Sequence, residues 1–268
     1  MLERERHGLI LKLVNERSIV SIGELVSLLD ASEATIRRDI NALADQGEVK
    51  RIRGGAEAIN PRHLSHLAAV PFAVSQGVAM PEKRAIGRAA AALIGANDSI
   101  IINGGTTTWH LVEFLKQAEI DVLTNSFPIA AELVAHSRCR IVLPGGTVYR
   151  DQGIILSPFE ADTIDHFAAS TLFTGAYAVG ALGMMETDPL VVNAERRLLT
   201  RAERLVVMVD SRKLRARCSM VVVPLAEIDV LITDDNANDD ELQPFRDAGV
   251  EVIIAEIRPE DRVLDAAA

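Results

Sequence analysis

A chain of 268 residues, 49% hydrophobic and 25% charged, has room for roughly two globular domains and is neither fibrous nor disordered in composition. The formal net charge of -10 argues against a uniformly basic coat for nucleic acid. No apolar run approaches the roughly 18 residues that cross a bilayer, and the opening MLERERHGLILKLVNERS is charged where a signal peptide is apolar. The expected location is therefore the cytoplasm, with no membrane contact.

In chain order, Leu9, Ile10, Leu13 and Val14 recur at helical spacing and predict an amphipathic helix over 3–16. Ser21 and Glu24 match the S-x-x-E capping box, so a second helix starts there and buries Leu25, Leu28 and Leu29. Ser32 caps a third helix whose Ile36, Ile40 and Leu43 share one face, and Gly47 ends it. VKRIRGGAEAI then reads as two extended runs about a Gly-Gly turn. Pro61, Pro71 and Pro81, with no sustained period between them, mark a linker.

Beyond the linker, a helix over 85–96 precedes β-branched runs at Ser99, Asp121, Arg140, Arg204, Ile228 and Val250. Helical stretches, such as 109–117 and 128–136, separate most of them. Alternating strand and helix predicts an α/β domain with a mainly parallel sheet. The expected organisation is a small helical domain with a hairpin over 1–60, a linker over 61–81, an α/β domain over 82–257 and a tail over 258–268.

Residues 1–60 hold nine Lys or Arg against ten Asp or Glu, so nearly all the acidity lies later in the chain. Two helices joined by a tight turn and followed by a basic hairpin have the shape of a winged helix-turn-helix. The core stripe of the third helix leaves Thr35, Arg37, Arg38 and Asn41 facing away from the first two helices. Arg bonds guanine O6 and N7 in bidentate fashion, while Thr or a helix N-terminus holds phosphate. Ser32 sits at that N-terminus, and the hairpin adds Lys50, Arg51 and Arg53 for phosphate or minor-groove contacts. An isolated Arg-Arg pair is more often a solvated helix face; the joint arrangement points instead to double-stranded DNA.

The stretch from Arg6 to Ala56 resembles the N-terminal domain of the DeoR family of bacterial transcription regulators, with its T-[IV]-R-R-D-[IL]-x-x-L run at Thr35 to Leu43 and its wing glycines at Gly54 and Gly55. The resemblance implies an operator-binding repressor of a carbohydrate operon that works as a homo-oligomer, dimer or tetramer.

IIINGGTTTWHLVEFL places Gly104, Gly105, Thr106, Thr107 and Thr108 between a strand and a helix, an arrangement that admits an anion to the backbone. It is neither a Walker A loop nor a G-x-G-x-x-G fingerprint. Thr124, Asn125, Gly145 and Gly146 stand at other strand ends, and Lys213 supplies a cation; each alone is an ordinary turn residue as readily as a ligand contact. DeoR-family C-terminal domains are similar in fold to sugar-phosphate isomerases and sense phosphorylated sugars. The resemblance implies an effector site, for a phosphorylated sugar or sugar acid, at the G-T-T loop, the T-N strand end, the P-G-G turn and the D-S-x-K segment from Asp210 to Lys213. Asn103 and Ala194-Glu195 depart from many relatives and are similar to the branch containing the ascorbate-utilisation repressor.

Arg150 and Glu195 are candidates for sugar hydroxyls, or equally surface residues, and His110 is expected to cover the sheet. Cys139 and Cys218 have no Cys or His partner at a metal-ligand spacing and are expected as buried free thiols. His63 and His66 lack a third ligand, and DDNANDDE lacks the glycine of a calcium loop, so neither metal nor cofactor is expected. The rival reading is an isomerase with Glu195 or Asp151 as base, although no paired acidic motif lies beside the phosphate loop in sequence. A non-catalytic scaffold would have no anion site at all.

Overall fold

The structure, a computed structural model, describes residues 3–17, 19–29, 31–52, 54–59, 72–159 and 161–266. The chain divides into two compact units, Met1–Val78 and Ala79–Ala268. Arg53, His63, His66 and most of the expected linker lie outside the described residues.

In the first unit, α1 (Glu3–Arg17), β1 (Ile19–Ser21), α2 (Ile22–Leu29) and α3 (Glu33–Asp45) precede the hairpin of β2 (Val49–Ile52) and β3 (Gly55–Ala58). Ser21 Oγ accepts from the Glu24 N–H at 3.2 Å, and Ser32 Oγ accepts from the Thr35 N–H at 3.2 Å, so both expected caps start their helices. Ile10, Val14, Leu25, Ile36, Ile40 and Leu43 form the core. Leu28 is not part of it: it is 52% exposed, because the buried stripe of α2 is Ile22, Leu25 and Leu29. The hairpin gains β1 as a third strand, in the order β1-β3-β2. Gly54 turns it with φ +81, and a Cβ on Gly55 would stand 2.2 Å from the Val20 carbonyl oxygen. The first glycine serves the turn and the second the close approach to β1.

The second unit follows the short α4 (Phe72–Gln76) and opens with α5 (Met80–Ala91). Its strands and helices run β4 (Ser99–Ile102), α6 (Thr106–Trp109), β5 (Asp121–Thr124), α7 (Phe127–His136), β6 (Arg140–Val142), β7 (Thr147–Tyr149), β8 (Ile154–Leu156), β9 (Ala169–Thr174), β10 (Ala178–Gly180), β11 (Gly183–Glu186), α8 (Pro189–Leu199), β12 (Ala202–Met208), β13 (Met220–Val223), β14 (Val230–Asp234), α9 (Asp239–Asp247) and β15 (Glu251–Ala255). Seven strands form a sheet in the order β15-β14-β12-β9-β4-β5-β6, and every pairing within it is parallel. Apolar side chains pack in two clusters, one centred on Ile100, Ile102 and Phe173, the other on Ile101, Leu172 and Val207, as expected for a parallel sheet buried on both faces.

The six expected strands all belong to this sheet; β9, its central strand, was not among them. The sequence ASTLFT carries too few large aliphatics to stand out, and its burial comes from the strands on either side. The expected helix over 109–117 is instead α6 and a 3-10 turn at Val112–Leu115. Three consecutive threonines are poor helix formers. Gly87 of α5 also crosses so close to the His110 carbonyl that a Cβ would meet it at 2.7 Å. The helix expected over 85–96 starts earlier, at Met80 behind the αL residue Ala79, and ends at Ala91. Residues Pro259–Ala266 form a 3-10 turn whose buried Asp261 pairs with Arg88 of α5 at 2.5 Å.

Candidate functional site: a recognition helix and a switch-point crevice

In the first unit, Arg37, Asn41 and Arg51 line one groove of about 420 Å³ between α3 and the hairpin. Arg37, Arg38, Asn41, Lys50 and Arg51 are all exposed. Arg37 is held by Glu33 one turn back, with Nη2 at 2.6 Å, which leaves Nη1 without a bond to that carboxylate. Lys50 pairs across the hairpin with Glu57 at 3.4 Å, so that carboxylate stands beside its charge. Ser32 Oγ and Thr35 Oγ1 stand 2.8 Å apart at the helix start.

Sequence reasoning missed Asp39. It is only 3% exposed, and both Arg6 and His7 of α1 hold its carboxylate, Arg6 Nη2 at 3.1 Å and His7 Nε2 at 3.1 Å. Burial pushes the Asp39 carboxyl up, but the hydrogen bonds and charges of Arg6 and His7 outweigh it and leave it below its ordinary value. The acidic residue of the RRD run thus ties α3 to α1 and fixes the direction in which the arginines point.

In the second unit the strand order reverses between β4 and β9, and in a parallel sheet that reversal opens a crevice beyond the carboxyl ends of the strands. Asn103 follows β4 there. Its Nδ2 donates to Thr174 Oγ1 at the end of β9 and to Glu195 Oε1 of α8, both at 2.8 Å. The Gly104 N–H donates to Asn103 Oδ1 at 2.9 Å and to Asn125 Oδ1 at 2.8 Å, so the loop is braced by two asparagine side chains. Thr108 donates its hydroxyl to the Asn103 and Gly105 carbonyls, Thr107 is 7% exposed, and Thr124 Oγ1 accepts from the Ser126 N–H. Of the three threonines, Thr106 alone meets a cation, since its Oγ1 accepts from Lys83 Nζ at 2.8 Å.

Lys83, on α5, is the second residue that sequence reasoning missed. It is 3% exposed, and burial drops its amine from 10.5 to about 7, partly countered by Asp210. Lys213 lies with its Nζ 5.0 Å from the centre of the Tyr177 ring, and burial lowers its pKa too. Asp210 is buried between these cations: burial raises its pKa, and the Arg212 hydrogen bond with the charges of Arg212, Lys213 and Lys83 brings it below the ordinary value. Opposite in sign, burial raises Glu186, and raises Glu195 well above the usual carboxylate range, with Glu186 adding to the latter. The fold thereby creates a carboxyl pair that no sequence spacing revealed. The available signal for Lys83 was its place on the buried stripe of α5, three, four and seven residues before Ile86, Gly87 and Ala90.

The other expected residues spread out. Gly145 and Gly146 are exposed beyond the edge strand β6; a Cβ on Gly146 would lie 2.3 Å from the Leu156 carbonyl oxygen, while nothing lies near one on Gly145. Arg150 is exposed just past β7. His110 is 4% exposed and held by burial, then Lys83, at a pKa of about 4, so it stays neutral. Cys139 is buried, but Cys218 is only partly so, correcting the expectation of two buried thiols; it lies in the loop before β13, near Glu186 and Lys213. DDNANDDE is a helix entry, with the Asn238 N–H donating to Glu241 at 3.0 Å.

Comparison with known proteins places both units. Residues 6–62 match the model of the DeoR-like helix-turn-helix domain, and residues 79–235 match that of the DeoR C terminal sensor domain. HTH-type transcriptional regulators UlaR from Shigella dysenteriae serotype 1 and from Escherichia coli strain SMS-3-5 are 33% identical over 253 residues, 94% of this chain and 99% of theirs. Among solved structures, ribose 5-phosphate isomerase A from Methanocaldococcus jannaschii overlaps 49% of this chain and 52% of its own at 16% identity and a TM-score of 0.36. That overlap is too loose to bear on chemistry. Among the described residues no helix is long and apolar enough to cross a membrane.

Proposed function

The chain belongs to the DeoR family of transcriptional regulators, and from that premise we propose that it is a cytoplasmic repressor of a carbohydrate-utilisation operon whose operator affinity is set by a phosphorylated sugar or sugar acid. Two recognition helices, held by a dimer or tetramer, read operator half-sites through Thr35, Arg37, Arg38 and Asn41, with Ser32, Lys50, Arg51 and Arg53 on the phosphates. The observation that carries the effector reading is the buried Lys83, bonded to Thr106 of the loop at the switch point, with the half-buried Lys213 near enough for its charge to act on it. A dianionic phosphate there would be stabilised by both cations and by the Thr106 hydroxyl. Effector control requires that the ligand bind one conformation better than the other, not merely tightly.

We read the chain as non-catalytic because the relatives it matches over nearly its whole length are named as transcriptional regulators. An isomerase needs an ionised carboxylate base near the sugar carbons. Burial, with the Glu186 charge adding to it, raises the Glu195 carboxyl well above its ordinary value, and its Oε1 accepts from the Asn103 amide. A thermal-shift screen of pentose, hexose and sugar-acid phosphates, with hits retested for release of operator DNA, tests the proposal. Hits that stabilise the protein and leave operator binding unchanged would refute the regulatory link, and conversion of any hit to an isomer would refute the non-catalytic reading.

A further inference from the structure

A cleft of about 350 Å³ lies between the β7–β8 hairpin and α8, lined in part by Asn125, which also bonds the Gly104–Thr108 loop. We propose that this cleft holds the uncharged, hydroxyl-bearing body of the effector whose phosphate lies against that loop, so that Asn193 and Tyr149 select which sugar is bound. The inference rests on the phosphorylated-effector reading above and adds a place for the other end of the ligand.

Continuity between cleft and loop is built in. Asn125 lines the cleft, yet its Oδ1 takes the Gly104 N–H at 2.8 Å and its carbonyl takes the Ile155 N–H at 2.6 Å. A Cβ on Gly104 would stand 2.4 Å from Ile154 Cγ2, so β8 is packed directly on the loop. The helix α8 serves both sides: Asn193 and Arg197 face the cleft, and Glu195 between them bonds Asn103, whose own Oδ1 braces Gly104.

The lining sets the chemistry of the occupant. Ile164 and Leu198 offer apolar wall, while the Asn125 and Asn193 amides and the Tyr149 hydroxyl offer a few directed polar groups, the usual make-up of a small-ligand pocket. Arg197 supplies no spare charge. Asp162 holds it at 3.3 Å and Asp165 at 3.1 Å, and its Nη1 donates to the Phe159 carbonyl at 3.1 Å. A second anionic group would therefore find no counter-charge, and a carbohydrate with apolar C–H faces and hydroxyl edges fits instead. The volume stands near the lower end of the range of about 300–1,000 Å³ for ligand pockets, which suits a single sugar unit.

The test is calorimetric, on full-length protein. Wild type, Asn193→Leu and Ala194→Leu are titrated with inorganic phosphate and then with a panel of pentose and hexose phosphates. Asn193 is exposed, so its variant keeps the fold even if the bulkier side chain at the half-buried Ala194 does not. The expected result is unchanged phosphate affinity in Asn193→Leu and a loss of about tenfold or more on the sugar phosphate that wild type binds best, the scale of one directed hydrogen bond. Equal affinity of wild type and Asn193→Leu for that sugar phosphate overturns the cleft assignment. So does a wild type that binds every panel member no more tightly than inorganic phosphate, a result that leaves the phosphate site itself standing. If wild type binds neither phosphate nor any panel member, the phosphorylated-effector reading fails and this inference with it.

Discussion

Replacing Lys83 by Met should make the protein more stable and unresponsive to anions. Folding carries the Lys83 amine from 10.5 to about 7. At about 1.4 kcal/mol per pH unit, that displacement opposes folding by about 5 kcal/mol wherever the pH is below 7. Methionine has similar length, fills the same volume and ends the penalty; losing the Lys83–Thr106 hydrogen bond returns about 1 kcal/mol. A gain of about 3 to 4 kcal/mol at pH 6 remains. The sign of the pH dependence follows from the lowered folded pKa. Below pH 7 both folded and unfolded lysine are protonated and the wild type bears the whole penalty; between 7 and 10.5 the unfolded chain holds a proton that the folded chain has shed, so wild-type stability rises with pH. The advantage of Lys83→Met is therefore largest at pH 6 and shrinks towards pH 10. Urea denaturation of both proteins at pH 6, 8 and 9.5, each with and without phosphate, measures it. A variant less stable than wild type at pH 6, or one that keeps the full phosphate-induced stabilisation, would refute the reasoning that Lys83 is a strained cation held for an anionic ligand.

The same titration predicts that affinity for sulfate, whose charge is constant over this range, is flat below pH 7 and falls above it, approaching tenfold per pH unit as Lys83 must take up a proton to bind; calorimetry in two buffers reads the proton uptake directly. Asp39→Ala should destabilise the N-terminal unit by about 3 kcal/mol, because Arg6 and His7 are left facing a cavity without their carboxylate, and operator binding should fall with it; chemical denaturation followed by a probe in that unit checks the first part. Arg38→Ala should lose about 1–3 kcal/mol on operator DNA if its guanidinium reads a base, and little on unrelated sequence, in a gel-shift titration. Glu57→Gln, by releasing Lys50, should strengthen binding to all DNA alike and steepen the salt dependence by about one counterion or less, whereas Lys50→Ala flattens it.

What was legible in the sequence is the part governed by local chemistry. Caps at Ser21 and Ser32, the stripe of Ile36, Ile40 and Leu43, the Gly54-Gly55 turn and six aliphatic strands each follow from a few neighbouring residues. Their side chains act over one or two turns, so their spacing along the chain is their spacing in space. The DeoR resemblance rests on the same local runs.

Tertiary structure decided everything that depends on which segments meet. The chain folds ASTLFT into the centre of the sheet because neighbours on both sides bury it, not because of its own composition. Asp39 lies 33 residues from Arg6, and only helix packing shows that it is a tether and not a surface charge. Lys83 on α5, Lys213 after β12, Glu186 on β11 and Glu195 on α8 stand far apart in the chain, yet in the fold Lys213 acts on Lys83, and Glu186 on both Lys213 and Glu195. Their pKa values are properties of that burial, since desolvation and neighbouring charge arise only once distant segments close over them. The Gly104–Thr108 loop stands out in the sequence; the fold supplied the lysine that Thr106 meets and the asparagines that brace the loop.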